Sequence, residues 1–188
     1  MKSVLISIQP KWCELIASGK KTVEVRKARP KPETSFKAYI YETQGRTETP
    51  FVDEDGHEIF KGRGQVIGEF VCDCITPLYN VCYDEWERLL GGLHRIEKEL
   101  VGQACLSEKE LHSYANGKRC YAWHISNLVI YDKPKSLSKF VRQRRCYEEN
   151  INESCSETCS EYADGECDGK YVSIRPPQSW CYVEKVLG

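Results

Sequence analysis

"SIQPKWCELIASGKKTVEVRK", residues 7–27, decides how the rest of the chain is read. The apolar, β-branched run "SVLISIQ" leads into it as a first strand. Pro10 then suits the first turn of a short helix, because its φ is already helical. Trp12, Leu15 and Ile16 follow at helical spacing, and Gly19 supplies the stop. "KTVEVRK" alternates as a second strand, with Val23 and Val25 on one face and Thr22, Glu24 and Arg26 on the other.

That polar face has two readings. One is a solvated strand with a Glu–Arg pair, worth at most about 1 kcal/mol. The other is the floor of a ligand cleft, with Lys21 reaching in from the preceding turn. Glu24 and Arg26 sit about 6.6 Å apart along a strand, near enough to touch each other or one ligand. Arginine makes two-pronged contacts to carboxylate or phosphate. Glutamate accepts hydrogen bonds from exocyclic amino groups of bases. A lysine beside a glutamate can also do acid–base work if burial moves its pKa.

The chain's 188 residues suit a single domain over 1–188, long enough to bury a core. A 40% apolar content argues against wholesale disorder. A formal net charge of -1 excludes a global basic field, so any nucleic-acid surface must be local. Residues 1–40 hold nine Lys and Arg against three Glu, and Lys133, Lys135, Lys139, Arg142, Arg144 and Arg145 form a second basic run. An acidic segment follows it, either to screen that run or to leave it as a working patch. "VLISI" is too short for a signal-peptide core, and no stretch approaches the ~20 apolar residues of a membrane span. The expected compartment is the cytoplasm, where the eleven cysteines should be reduced or metal-bound.

Further along, "SFKAYIYET" reads as a strand and residues 44–63 as a loop or hairpin. "GQVIGEFVCDCITPL" reads as one long strand with Gly68 as a bulge, both thiols of "CDC" on one face. "YDEWERLLGG" is expected to be helical. Ser107 and Glu110 form a capping box for "SEKELHSYANG", which Gly117 ends. "CYAWHISNLVIY" reads as a strand, "SLSKFVRQRR" as a short helix and "SWCYVEKV" as the closing strand. Strands and helices do not alternate regularly, which disfavours a parallel nucleotide-binding sheet. The expectation is an α+β fold, a small mixed β-barrel with short peripheral helices.

Gly19, Lys21, Glu24 and Arg26 spell G-x-K-x-x-E-x-R, which resembles the signature of the ASCH domain family, similar in fold to the PUA domains of RNA-modifying proteins. "SIQPKWCELIASGKKTVEVRK", "GQVIGEFVCDC", "YAWHISNLVIYDKPKSLSKF" and "RPPQSWCYVEKV" also resemble successive units of one bacterial and phage-like subgroup. The resemblance implies a PUA-like barrel whose cleft, holding Gly19, Lys21, Glu24 and Arg26, binds RNA or a nucleoside-like small molecule. One small branch of the family is an amidohydrolase acting on N4-acetylcytidine, with a threonine three residues after the motif lysine. Here that position is Glu24, and Thr22 is a displaced alternative. If this chain were such a hydrolase, Lys21 would be its base and Glu24 its partner. The remaining carboxylate is open among Glu69, Asp84, Glu85 and Glu87.

In "CYAWHI", Tyr121, Trp123 and Ile125 share one face, and Cys120, Ala122 and His124 the other. Trp123 is either a base-stacking wall or a core aromatic, and His124 either a ligand contact or a satisfied internal group. Gln9 and Trp12 are weaker candidates near the first turn. Residues 146–169 form an acidic insertion with almost no large apolar groups. Cys146, Cys155, Cys159 and Cys167 could order it as a structural zinc site; an iron–sulfur cluster ranks behind zinc, and unligated cysteines remain open. The leading functional expectation is RNA or nucleotide-like ligand binding. The alternatives are the nucleoside amidohydrolase and a protein-interaction module built on the insertion.

Overall fold

The computed structural model describes residues 3–31, 35–44, 51–52, 58–59, 62–78, 95–143, 170–172 and 175–185. β1 (Ser3–Ile8) runs into α1 (Pro10–Ala17), with Pro10 opening the helix and Cys13 and Ile16 buried. Gly19 follows at φ 74°, the left-handed turn that glycine adopts at no steric cost. β2 (Val23–Arg26) comes next, then β3 (Phe36–Glu42) and a small hairpin of β4 (Phe51–Val52) and β5 (Glu58–Ile59). β6 (Val66–Cys72) and β7 (Ile75–Leu78) precede two helices, α2 (Arg95–Gln103) and α3 (Glu108–Ala115). β8 (Cys120–His124), β9 (Ser126–Lys135), a 3-10 turn (Leu137–Lys139), β10 (Phe140–Gln143), β11 (Lys170–Val172) and β12 (Trp180–Lys185) complete the order.

Seven strands form one sheet in the order β11-β10-β12-β1-β3-β6-β9, and β2-β8-β7 form a second. β1 and β3 pair parallel, which makes the large sheet mixed. The expected α+β class holds. The expected barrel does not close: among the described residues the sheets stay separate, stacked rather than joined edge to edge.

Alternation along the strands builds three layers of core. Val4, Ile6 and Ile8 point with Ile40, Phe70 and Trp123 into the space between the sheets. Leu5, Tyr39 and Val66 point the other way, onto Phe140. Val23, Val25, Cys120 and Ala122 leave the small sheet on its far side, to meet Leu100 and Val101 of α2 and Leu111 and Ala115 of α3. The polar face of β2 is therefore turned toward the large sheet, into the interlayer.

Several local expectations need correction. "GQVIGEFVCDCITPL" is two strands, broken at Asp73 and Cys74, so Cys72 is buried and Cys74 exposed rather than both facing one way. "CYAWHISNLVIY" is also two strands, parted at Ile125 and belonging to different sheets, with Asn127 at φ 48° just past the break. "SLSKFVRQRR" makes only a 3-10 turn before becoming β10, because Phe140 anchors against the Tyr39 ring at 4.9 Å and Val141 pairs with Glu184 and Val172. The helix α2 has no counterpart in the sequence expectations, and the helix expected over residues 83–92 lies outside the described residues. The capping box at α3 is present, with Glu110 N–H donating to Ser107 Oγ at 3.2 Å and Ser107 N–H to Glu110 Oε2 at 2.8 Å. Gly68 stands where the β6–β9 register shifts. A Cβ there would lie 2.5 Å from the Val129 carbonyl oxygen, so the close approach of the two strands requires glycine.

Candidate functional site

The charged side chains of the second strand are not on a solvated surface. Lys21, Glu24 and Arg26 are 3%, 6% and 8% exposed, which removes the reading of this strand as a surface ion pair. Glu24 stands between the two cations. Its Oε2 is 3.3 Å from Lys21 Nζ and its Oε1 is 3.1 Å from Arg26 Nε. The second contact is electrostatic rather than an aligned hydrogen bond, since Arg26 Nε is buried with no hydrogen-bond partner.

Both cations also hold backbone. Lys21 Nζ donates to the Ala104 carbonyl at 2.6 Å, tying the end of α2 to the strand. Arg26 Nη2 donates to the Ser7 carbonyl at 2.5 Å, tying the small sheet to β1 of the large one. Charges buried to this degree need partners, and here a carboxylate and two carbonyls supply them. Trp12 of α1 covers the group, with Lys21 Nζ 4.9 Å from its ring centroid and Lys11 Nζ 4.7 Å from it. Cys13 lies close by, and burial pushes its thiol well above the ordinary range, with Glu42 and Glu24 adding to the effect.

The three charges and Trp12 line a cavity of about 750 Å³, within the usual range for small-molecule sites. Ser7 and Gln9 close it on one side; Lys109, Glu110 and Tyr114 of α3 close it on another. Tyr114 is 39% exposed, and burial of the rest of its ring raises its hydroxyl pKa. The cavity thus offers an aromatic wall, hydrogen-bond donors on two cations and a carboxylate acceptor within one side chain's width.

The expected residues divide. Lys21, Glu24 and Arg26 converge on the cavity, while Gly19 shapes the turn that delivers Lys21. Trp123 is fully buried between Phe36, at 5.3 Å, and Trp180, at 5.8 Å, and is not part of the cavity wall. His124 Nε2 lies 3.1 Å from Thr76 Oγ1, also away from the cavity. Gln9 and Trp12, the weaker candidates, both line it. Thr22 is exposed and does not. Glu69 belongs to the large sheet, bonded to Lys37 at 2.5 Å and to Tyr131. Asp84, Glu85, Glu87, Arg144, Arg145, Cys146, Cys155, Cys159 and Cys167 lie outside the described residues. Among the described residues no three His, Cys, Asp or Glu side chains group as metal ligands, and no helix is long and apolar enough to cross a membrane.

The sequence reading missed the carbonyls of Ser7 and Ala104, which no side-chain pattern marks. It also missed Lys109 and Tyr114. Helical periodicity carried a signal for those: with Leu111 and Ala115 inward, Lys109, Glu110, Ser113 and Tyr114 share the opposite side of α3.

Comparison with protein families matches the ASCH domain over residues 6–153. Comparison with curated proteins finds no match. Among solved structures, the crystal structure of ASCH from Zymomonas mobilis is similar over 98% of this chain and 89% of that one, at 22% identity and a TM-score of 0.55. Two mutant forms of the same Zymomonas mobilis protein are similar at 21% identity. Their TM-scores are 0.52 and 0.53; each match covers 98% of this chain, and 92% and 89% of theirs.

Proposed function

The chain belongs to the ASCH domain family, and on that premise we propose that it binds RNA by taking one nucleotide into the cavity floored by Lys21, Glu24 and Arg26. ASCH domains share the PUA-like fold, which is associated with RNA binding. The observation that carries the reading is the buried cation–carboxylate–cation group at the base of an aromatic-walled cavity. A nucleobase edge sets donors and acceptors side by side, and recognition of unpaired bases combines contacts to that edge with stacking on an aromatic ring. Glu24 supplies an acceptor, Lys21 and Arg26 supply donors, and Trp12 supplies a ring. The two cations exceed the one carboxylate, which favours a phosphorylated ligand over a neutral one.

The hydrolase alternative has less behind it. Thr22, its candidate nucleophile, is exposed and off the cavity wall. The same titration can decide between the two readings. Wild-type protein and the Trp12→Ala and Lys21→Met variants, each checked for folding by circular dichroism, are titrated with a random-sequence RNA octamer and with nucleoside 5′-monophosphates. Loss of the Trp12 stack should cost about 1–3 kcal/mol of binding. Folded variants that bind as wild type would remove the cavity from the function. Release of acetate from N4-acetylcytidine, abolished by Lys21→Met, would replace the binding reading with the hydrolase.

A further inference from the structure

One surface next to the cavity is not used by the single-nucleotide reading. The chain leaving β2 is "KARPK", residues 27–31, with Lys27, Arg29 and Lys31 all exposed and no acid among them. Two of the cations lie over tyrosine rings, and the third residue is tied to another tyrosine by its backbone. Lys27 Nζ is 5.0 Å from the Tyr114 ring centroid, and Arg29 is 5.4 Å from that of Tyr121. The Lys31 backbone N–H donates to the Tyr182 hydroxyl at 3.0 Å. Tyr114 and Tyr182 are each 39% exposed, and Tyr182 is backed edge-on by Trp180 at 5.5 Å. Pro30 is buried and holds Arg29 away from helical backbone, so the three side chains are presented by a braced segment.

The ridge is continuous with the cavity. Tyr114 lines the cavity and also carries Lys27, and Lys27 directly follows Arg26 of the cavity floor. From there the segment passes Tyr121, under Arg29, and reaches Tyr182 through the Lys31 backbone, on the closing strand of the large sheet. Alternating cations and exposed aromatic rings fit a single strand of nucleic acid, whose phosphates and unstacked bases need those two partners in turn. A free nucleotide has no use for a track that leads away from its pocket.

Resting on the cavity reading, we infer that the ridge of Lys27, Arg29 and Lys31 with Tyr114 and Tyr182 carries the RNA nucleotides flanking the one in the cavity. The partner is then a single RNA strand of several nucleotides rather than a free nucleotide. Cation contacts would supply a salt-dependent part of the affinity, and Tyr182 a salt-independent stacking part.

The test uses a fluorescein-labelled random-sequence RNA octamer, the four nucleoside 5′-monophosphates and a polyglutamate competitor. Wild type is compared with the triple variant Lys27→Ala/Arg29→Ala/Lys31→Ala and with Tyr182→Ala. The octamer should bind at least tenfold more tightly than any monophosphate, and polyglutamate should displace it only at large excess. The triple variant should keep its monophosphate affinity while the slope of log K against log salt falls by about 2, from ~0.7 per phosphate contact. Tyr182→Ala should weaken octamer binding roughly tenfold with its slope unchanged. An octamer that gains nothing over a monophosphate, or a triple variant with wild-type affinity and slope, would overturn the ridge and leave the cavity reading standing. Octamer binding that depends on the ridge, without any monophosphate binding, would sink the cavity reading and with it the inference that the ridge carries flanking nucleotides. Equal displacement by polyglutamate would mean only a polyanion surface and would overturn the RNA assignment.

Discussion

Replacing Glu24 by glutamine keeps its shape and removes the one negative charge between two buried cations. Taken at an effective dielectric of about 20, a contact at 3.3 Å to Lys21 and one at 3.1 Å to Arg26 are each worth about 5 kcal/mol of gross attraction. Most of that offsets the desolvation of the three charges. Removing one member of such a buried group costs about 3–5 kcal/mol, since the remaining charges are left without compensation. In Glu24→Gln two like charges face each other across a neutral amide. In Lys21→Met the Glu24–Arg26 pair survives, and the main loss is the hydrogen bond to the Ala104 carbonyl, so about 1–3 kcal/mol is expected. Glu24→Gln is therefore expected to be the more destabilising of the two. Urea unfolding followed by tryptophan fluorescence measures it. With an m-value of about 2–3 kcal/mol/M, the Glu24→Gln midpoint should fall by roughly 1–2 M. Lys21→Met proving equally or more destabilising at unchanged m would refute the idea that Glu24 is the keystone of the charge group. So would a double variant no more stable than Glu24→Gln alone.

Three other outcomes follow from separate parts of the molecule. Burial alone would raise the Glu69 pKa, but hydrogen bonds from Lys37 and Tyr131 outweigh it and hold the carboxyl below its ordinary value. The stability it contributes is thus present above about pH 4.3 and lost as pH falls through the lower folded value. The difference in unfolding midpoint between wild type and Glu69→Gln should accordingly shrink between pH 5 and pH 3, and a constant difference would contradict it. Burial, aided by Asp73, pushes the Cys72 thiol up to about 12, whereas Cys74 is exposed. Iodoacetamide at pH 8 should label Cys74 in the native protein and spare Cys72 and Cys13 until urea is added; mass spectrometry of the peptides reads this, and equal labelling of Cys72 would contradict it. If the four insertion thiolates hold zinc, elemental analysis should find one zinc per chain, lost in Cys155→Ser; its absence from wild-type protein would end that proposal.

Most of the site's chemistry could be read from residues 7–27, because helix start, glycine turn and strand alternation are local and leave local marks. Glu24 and Arg26 were placed on one face by period alone, and Lys21 was set to reach in from the preceding turn. What period could not show is which face is covered. Both faces of β2 are buried, one by valines against helices and the other by charges against β1, and only the stacking of two sheets determines that. The expected barrel stays unclosed among the described residues for a related reason. Strand-rich order does not reveal which strands share a sheet, and two runs that looked continuous break where a single residue, or two, lets the chain change sheets. Phe140 overrode the helical look of its segment by tertiary packing alone. Trp123 had two readings in sequence, and its 0% exposure places it in the interlayer.

The break between β8 and β9 has a dynamic consequence. Only Ile125 separates a strand of the small sheet from a strand of the large one, and its N–H is held by the Thr22 carbonyl, next to the motif lysine. A linker that short leaves no slack for the layers to open independently. Together with the Arg26 bond to Ser7, it staples the cavity floor to both sheets at once. Amide exchange across β1, β2 and β8 should then proceed through one shared opening event, so the cavity is as rigid as the core itself.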